Sequence, residues 1–98
     1  MQELYIIRCG DSDLFKIGIS KCPEKRLKQL QTGNPHILKI LFTFKVSEKY
    51  KNIEAQKIEH TIHQFLKENK NLHIINEWFK LTNDMVVQIA KCLIDNFT

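Results

Sequence analysis

The chain has 98 residues, of which 43% are hydrophobic and 27% charged, proportions that suit one domain with a modest core over residues 1–98. No stretch approaches the roughly 20 apolar residues of a membrane helix. Cys9, Cys22 and Cys92 are odd in number and far apart, which excludes a disulfide framework and the paired spacings of zinc sites. They read as reduced thiols of an intracellular protein, and "MQELY" carries no basic, apolar secretion signal. The net charge of +4 is concentrated in one place: residues 16–28 hold Lys16, Lys21, Lys25, Arg26 and Lys28 against Glu24, while ten basic and ten acidic side chains balance elsewhere. A local excess of this kind is either the footprint of a polyanion or a solvated lysine-rich helix.

Leu4–Cys9 and Leu14–Ile19 alternate in hydropathy and read as two strands of a hairpin. With Gly10 to Asp13 as the loop, Tyr5 pairs with Gly18 and Ile7 with Lys16. Those four residues share one face, and Leu4, Ile6, Phe15, Ile17 and Ile19 form the core face. Tyr5 and Lys16 become diagonal neighbours, about 7–8 Å apart. A short helix is predicted over Pro23–Gln31, started by Pro23, stopped at Gly33, with Leu27 and Leu30 inward. His36–Val46 reads as a third strand. A longer helix follows over Glu48–Glu68, with Ala55, Ile58, Ile62, Phe65 and Leu66 as its apolar stripe. "EWFKL", Glu77 to Leu81, is a short extended piece. The last helix spans Asp84–Asn96, capped by Asn83, with Val86, Ala90, Leu93 and Phe97 on one face. The order β-β-α-β-α-(β)-α implies an α+β fold, a small three-stranded antiparallel sheet flanked by helices.

Five segments in this order resemble the GIY-YIG nuclease domain, in the compact form common in phages and large DNA viruses. They are "LYI" with Tyr5, "KIG" from Lys16 to Gly18, "PEKRLKQLQTGNP" with Arg26, "IEAQKIEHTIHQF" with Glu59 and His63, and "NEWFKL" with Glu77. The chain departs from the family pattern at Lys16, where many members have tyrosine, and at Leu30, where many have a histidine or tyrosine.

The resemblance implies a DNA endonuclease that uses a single Mg²⁺ or Mn²⁺ ion and leaves 3′-hydroxyl and 5′-phosphate ends. Glu77 would be the sole protein ligand, since Mg²⁺ keeps several waters and takes further ligands from phosphate. Arg26 would hold the scissile phosphate through its guanidinium fork. Tyr5 would accept the proton of the attacking water, with Lys16 expected to lower the phenol's pKa and Gly18 to leave room for substrate. His63 would contact phosphate or relay a proton. Lys21, Lys25 and Lys28 would join Arg26 on the DNA backbone, giving salt-dependent, mostly sequence-blind binding. With no recognition module visible, specificity would come from a homodimer, from a partner protein, or be lacking. Taken singly, the same residues have plainer readings: Tyr5 as strand packing, Lys16 and Arg26 as surface charges, Glu77 as a strand-edge carboxylate, Glu59 and His63 as a surface pair at i and i+4. Trp78 and Phe79 belong to the core either way. The alternative function is a catalytically weak or inactive nucleic-acid-binding module on the same fold.

Overall fold

The computed structural model describes residues 2–45, 55–68 and 72–97. Among them the chain runs β1 (Glu3–Cys9), β2 (Leu14–Ser20), α1 (Pro23–Gln31), β3 (Leu38–Phe44), α2 (Ala55–Glu68), β4 (His73–Ile75), β5 (Trp78–Lys80) and α3 (Asn83–Phe97). The α+β class is the expected one. The sheet is wider than expected: five antiparallel strands in the order β3-β1-β2-β5-β4, in place of three. β5 falls within the extended piece expected over Glu77–Leu81 and here joins the sheet, whereas β4 was not expected; each is three residues, too short to show a hydropathy period. The expected end of the third strand at Val46 and start of the second helix at Glu48 lie outside the described residues.

The β1–β2 hairpin takes the expected register, with Tyr5 opposite Gly18 and Ile7 opposite Lys16. Alternation then sorts side chains into two clusters. Leu4, Ile6, Phe15, Ile17 and Phe79 face α2 and α3, whereas Tyr5, Ile7 and Cys9 face α1 with its Leu27 and Leu30. On β3 the even-numbered residues serve both faces: Leu38 and Ile40 join the α1 side, Phe42 and Phe44 the opposite side. A strand of strict period two cannot do this. The register against β1 shifts between Ile6 and Ile7 and leaves Leu41 unmatched, so one extra residue reverses the facing. The bulge also kinks this edge strand, which discourages edge-to-edge pairing.

On α2 the buried positions are Ala55, Ile58, His63 and Leu66. Phe65, expected in the stripe, is 73% exposed. The covered face is turned toward the Glu59 and His63 flank, which leaves Phe65 on the outer side. On α3 the expected stripe holds, with Val86 and Leu93 buried.

The loop after α1 is tied by one side chain. Gln31 Oε1 accepts the Leu38 N–H at 2.8 Å, and its Nε2 donates to the carbonyls of His36 at 2.8 Å and Asn34 at 3.3 Å. Gln31 therefore fixes how α1 lies against the sheet. Replacing it (Gln31→Ala) leaves the Leu38 N–H without this acceptor and is expected to cost about 1–3 kcal/mol in chemical denaturation. The Leu38 amide should also exchange faster with deuterium, and an unchanged rate would remove Gln31 from this role.

Candidate active site

The site is built around Gly18. A Cβ placed there would meet the Tyr5 hydroxyl, lie 2.6 Å from Tyr5 Cζ, and lie 3.0 Å from Glu77 Oε2. The space above Gly18 is thus filled by the protein's own phenol and carboxylate, and not left for substrate as the sequence suggested. Glu77 reaches it from the turn before β5, just after Asn76, whose backbone is left-handed at φ 50°. Lys16, two residues before Gly18 on the same face, pairs with Glu77 at 2.9 Å from Nζ to Oε2. The same ammonium lies 5.7 Å from the centre of the Trp78 ring. Arg26, exposed on α1, faces the Tyr5 hydroxyl closely enough for its guanidinium to lower the phenol's pKa.

Glu59 completes the cluster. Its Oε2 is buried and has no hydrogen-bond partner. Its carboxyl is pushed up to about 7, first by burial and then by the charge of Glu77, with Lys16 opposing. The plain reading as one half of a surface pair fails, because Glu59 faces into the protein. The available signal was its position one residue after the buried Ile58 and one turn before His63.

The Tyr5 hydroxyl is pushed up to about 12 by burial, then by the negative charge of Glu77; Arg26 opposes, and Glu59 adds to the rise. The expectation that Lys16 lowers this phenol is therefore corrected on two counts. The phenol rises, and the cation facing it is Arg26, because the Lys16 ammonium is held by Glu77. His63 is also corrected. It is buried, and its Nε2 donates at 2.8 Å to the carbonyl of Ile17, so it does not present that nitrogen to a phosphate. Burial is the main cause that lowers its pKa. Lys21, Lys25 and Lys28 are exposed on and just before α1, as a backbone-contacting role requires.

Among the described residues, the cluster draws Tyr5 from β1, Lys16 from β2, Arg26 from α1, Glu59 from α2 and Glu77 from the turn before β5. A family model for the T5orf172 domain matches residues 3–94, which includes all five. The chain belongs to the T5orf172 domain family. T5orf172 domains are associated with phage and GIY-YIG-like nuclease-related proteins. No curated protein and no solved structure matches the chain significantly. In this T5orf172 domain no described helix is long and apolar enough to cross a membrane.

Two outcomes test this geometry. Gly18→Ala forces a methyl group against the Tyr5 ring and should destabilise the T5orf172 domain by about 1–3 kcal/mol in chemical denaturation. A neutral result would show that the phenol does not sit over Gly18. The second concerns Glu59, whose folded-state pKa of about 7 lies above its ordinary 4.5. A raised carboxyl pKa gives a stabilising contribution that is fully present below the ordinary value and is lost as pH rises through the folded value. In EDTA, melting temperature should therefore fall from about pH 5 to about pH 8 more steeply in the wild type than in Glu59→Gln. Parallel curves would place Glu59 in water.

Proposed function

We propose that this domain is a metal-dependent DNA endonuclease of the GIY-YIG type, hydrolysing a phosphodiester bond to leave 3′-hydroxyl and 5′-phosphate ends. One observation carries the reading. A phenol, an ammonium, a guanidinium and two carboxylates, each from a different segment of the chain, meet around Gly18. Opposite charges held together in a partly buried cluster are costly for folding alone, which points to chemistry as their reason.

Glu77 and Glu59 are the residues that would hold a Mg²⁺ or Mn²⁺ ion. Glu59 fits the role because its Oε2 is a buried acceptor with no donor. Among the described residues no group of three or more His, Cys, Asp or Glu side chains could hold a metal. Two carboxylates suffice for an ion that retains water and takes phosphate oxygens as ligands. When bound, the divalent ion supplies charge stabilisation to the phosphate and the departing oxygen.

The chain's own groups do the rest. Arg26 offers donors matched to a phosphate while facing the Tyr5 hydroxyl, so it would set phosphate and phenol side by side. The Tyr5 oxygen, once ionised to the phenolate with its own proton given up to solvent, would accept the proton of the attacking water. Of the three influences that raise this phenol, two are the carboxylates of Glu77 and Glu59, and Arg26 opposes them. Burial is the largest of the three and remains, but neutralising the two carboxylates removes the other two and lowers the phenol. Lys16 holds the Glu77 carboxylate against the Gly18 seat and adds a second cation near the phosphate. The exposed Lys21, Lys25 and Lys28 would grip the DNA backbone without reading sequence.

The phenol at about 12 favours one other reading, a nucleic-acid-binding module with weak or absent catalysis. Plasmid DNA decides between them. Cleavage is expected with Mg²⁺ or Mn²⁺ and none with EDTA. Arg26→Ala should lose about 100-fold or more in rate, and Glu77→Gln should be inactive while folded. DNA retardation without scission under either metal would establish the binding module, and cleavage surviving in EDTA would overturn the metal assignment.

A further inference from the structure

Ile17 lies between Lys16 and Gly18 and is fully buried. Its two backbone groups are taken by the two carboxylate-bearing segments. The Ile17 N–H donates to the Glu77 carbonyl at 3.1 Å, and the Ile17 carbonyl accepts from His63 Nε2 at 2.8 Å. His63 stands one helical turn after Glu59, so the two side chains share a flank of α2. The β2–β5 ladder runs only from Leu14 to Lys16, and at the next rung an imidazole bonds the carbonyl that a longer β5 would cover.

We propose that His63 is a positioning residue that sets the spacing of the Glu59 and Glu77 carboxylates by tying α2 to the Ile17 peptide at the end of the β2–β5 ladder. This rests on reading the two carboxylates as the divalent-ion site. The apolar contact of α2 with the sheet is made by Ile58, Ile62 and Leu66. Such apolar contact is non-directional and does not by itself fix the helix along its axis or about it. A hydrogen bond to a buried carbonyl does both, since it weakens steeply with distance and angle. The His63 ring is further held by Phe79, at 5.2 Å between centroids with a 46° tilt. The bonded nitrogen must carry the hydrogen because a carbonyl only accepts. Burial favours the neutral ring, so His63 adds no further positive charge beside Lys16.

Gln and Leu at position 63 separate this role from plain packing. Glutamine extends an N–H to nearly the reach of Nε2, whereas leucine keeps apolar bulk against Phe79 and removes the donor. Mn²⁺ binding to DNA-free protein is measured by titration calorimetry, with melting temperature and DNA retention in EDTA alongside. His63→Leu should weaken Mn²⁺ binding about tenfold or more and leave DNA retention in EDTA unchanged. His63→Gln should bind Mn²⁺ within about threefold of wild type, well inside the loss expected for a disturbed outer contact. A folded His63→Leu protein that binds Mn²⁺ like wild type overturns the proposal, as does His63→Gln failing as badly as leucine. If leucine does not fold, His63→Asn, too short to reach Ile17, takes its place with the same expectation. Wild-type protein that binds no Mn²⁺ at all removes the ion site and the proposal with it. Wild-type binding that His63→Leu leaves intact removes the positioning role alone.

Discussion

The absence of a side chain at Gly18 permits everything else at this site. In a two-stranded ladder the residues directly opposite one another sit close enough for their side chains to collide. Opposite Tyr5 there is none, so the ring lies across the strand and its hydroxyl reaches the volume that a Cβ would occupy. The Glu77 carboxylate enters the same volume from the far side of β2. A phenol from one neighbour and a carboxylate from the other thus meet over a single residue, with Lys16 on the same strand close enough to pair with the acid. The cost is electrostatic. Burial and the Glu77 charge raise the Glu59 carboxyl, and burial and both carboxylates raise the phenol; Lys16 acts against the first rise and Arg26 against the second.

This balance explains why the cations are divided as they are. Lys16 is nine-tenths buried, and the Glu77 carboxylate beside it offsets the loss of water. Arg26 is exposed on α1, so its guanidinium can face the Tyr5 hydroxyl and solvent at once. The buried cation is paired with the protein's own acid, and the other is open to solvent. Both occupy positions where the alternation of strand and helix would otherwise place ordinary packing or surface residues.

Much of this was legible in the sequence, for identifiable reasons. The hairpin register followed from strict alternation on both sides of a Gly-Asp-Ser-Asp loop, and with it came the placement of Tyr5 opposite Gly18 and of Lys16 on the same face. The limits of α1 followed from Pro23 and Gly33. The helix-facing side of β3 was not legible past Leu41, because a bulge reverses the pattern and leaves no compositional mark. The pairing of Lys16 was misassigned for a related reason: diagonal proximity to Tyr5 could be counted along the hairpin, but the approach of Glu77 depends on a turn at Asn76 some sixty residues away in sequence. Glu59 was passed over because an i, i+4 polar pair on a helix is ordinary until the rotation of that helix is known. Phe65, on the outer flank, reports the same rotation.

The two hydrophobic clusters give this division a structural basis. Tyr5, Ile7 and Leu38 pack with α1, the element that carries Arg26, Lys25 and Lys28. Ile17, Phe79, Ile58 and Leu66 pack on the other side, with the helix that carries Glu59. The helix that carries Arg26 and the helix that carries Glu59 are therefore held by separate cores on opposite faces of one sheet. The two cores meet at β2, where Lys16 and Gly18 look toward the first cluster and the Ile17 side chain toward the second. A strand whose successive residues point to opposite faces is the one element that can serve both within three positions. That is the physical reason for "KIG": an ammonium for the acid, an apolar side chain for the core, and an empty position for the phenol.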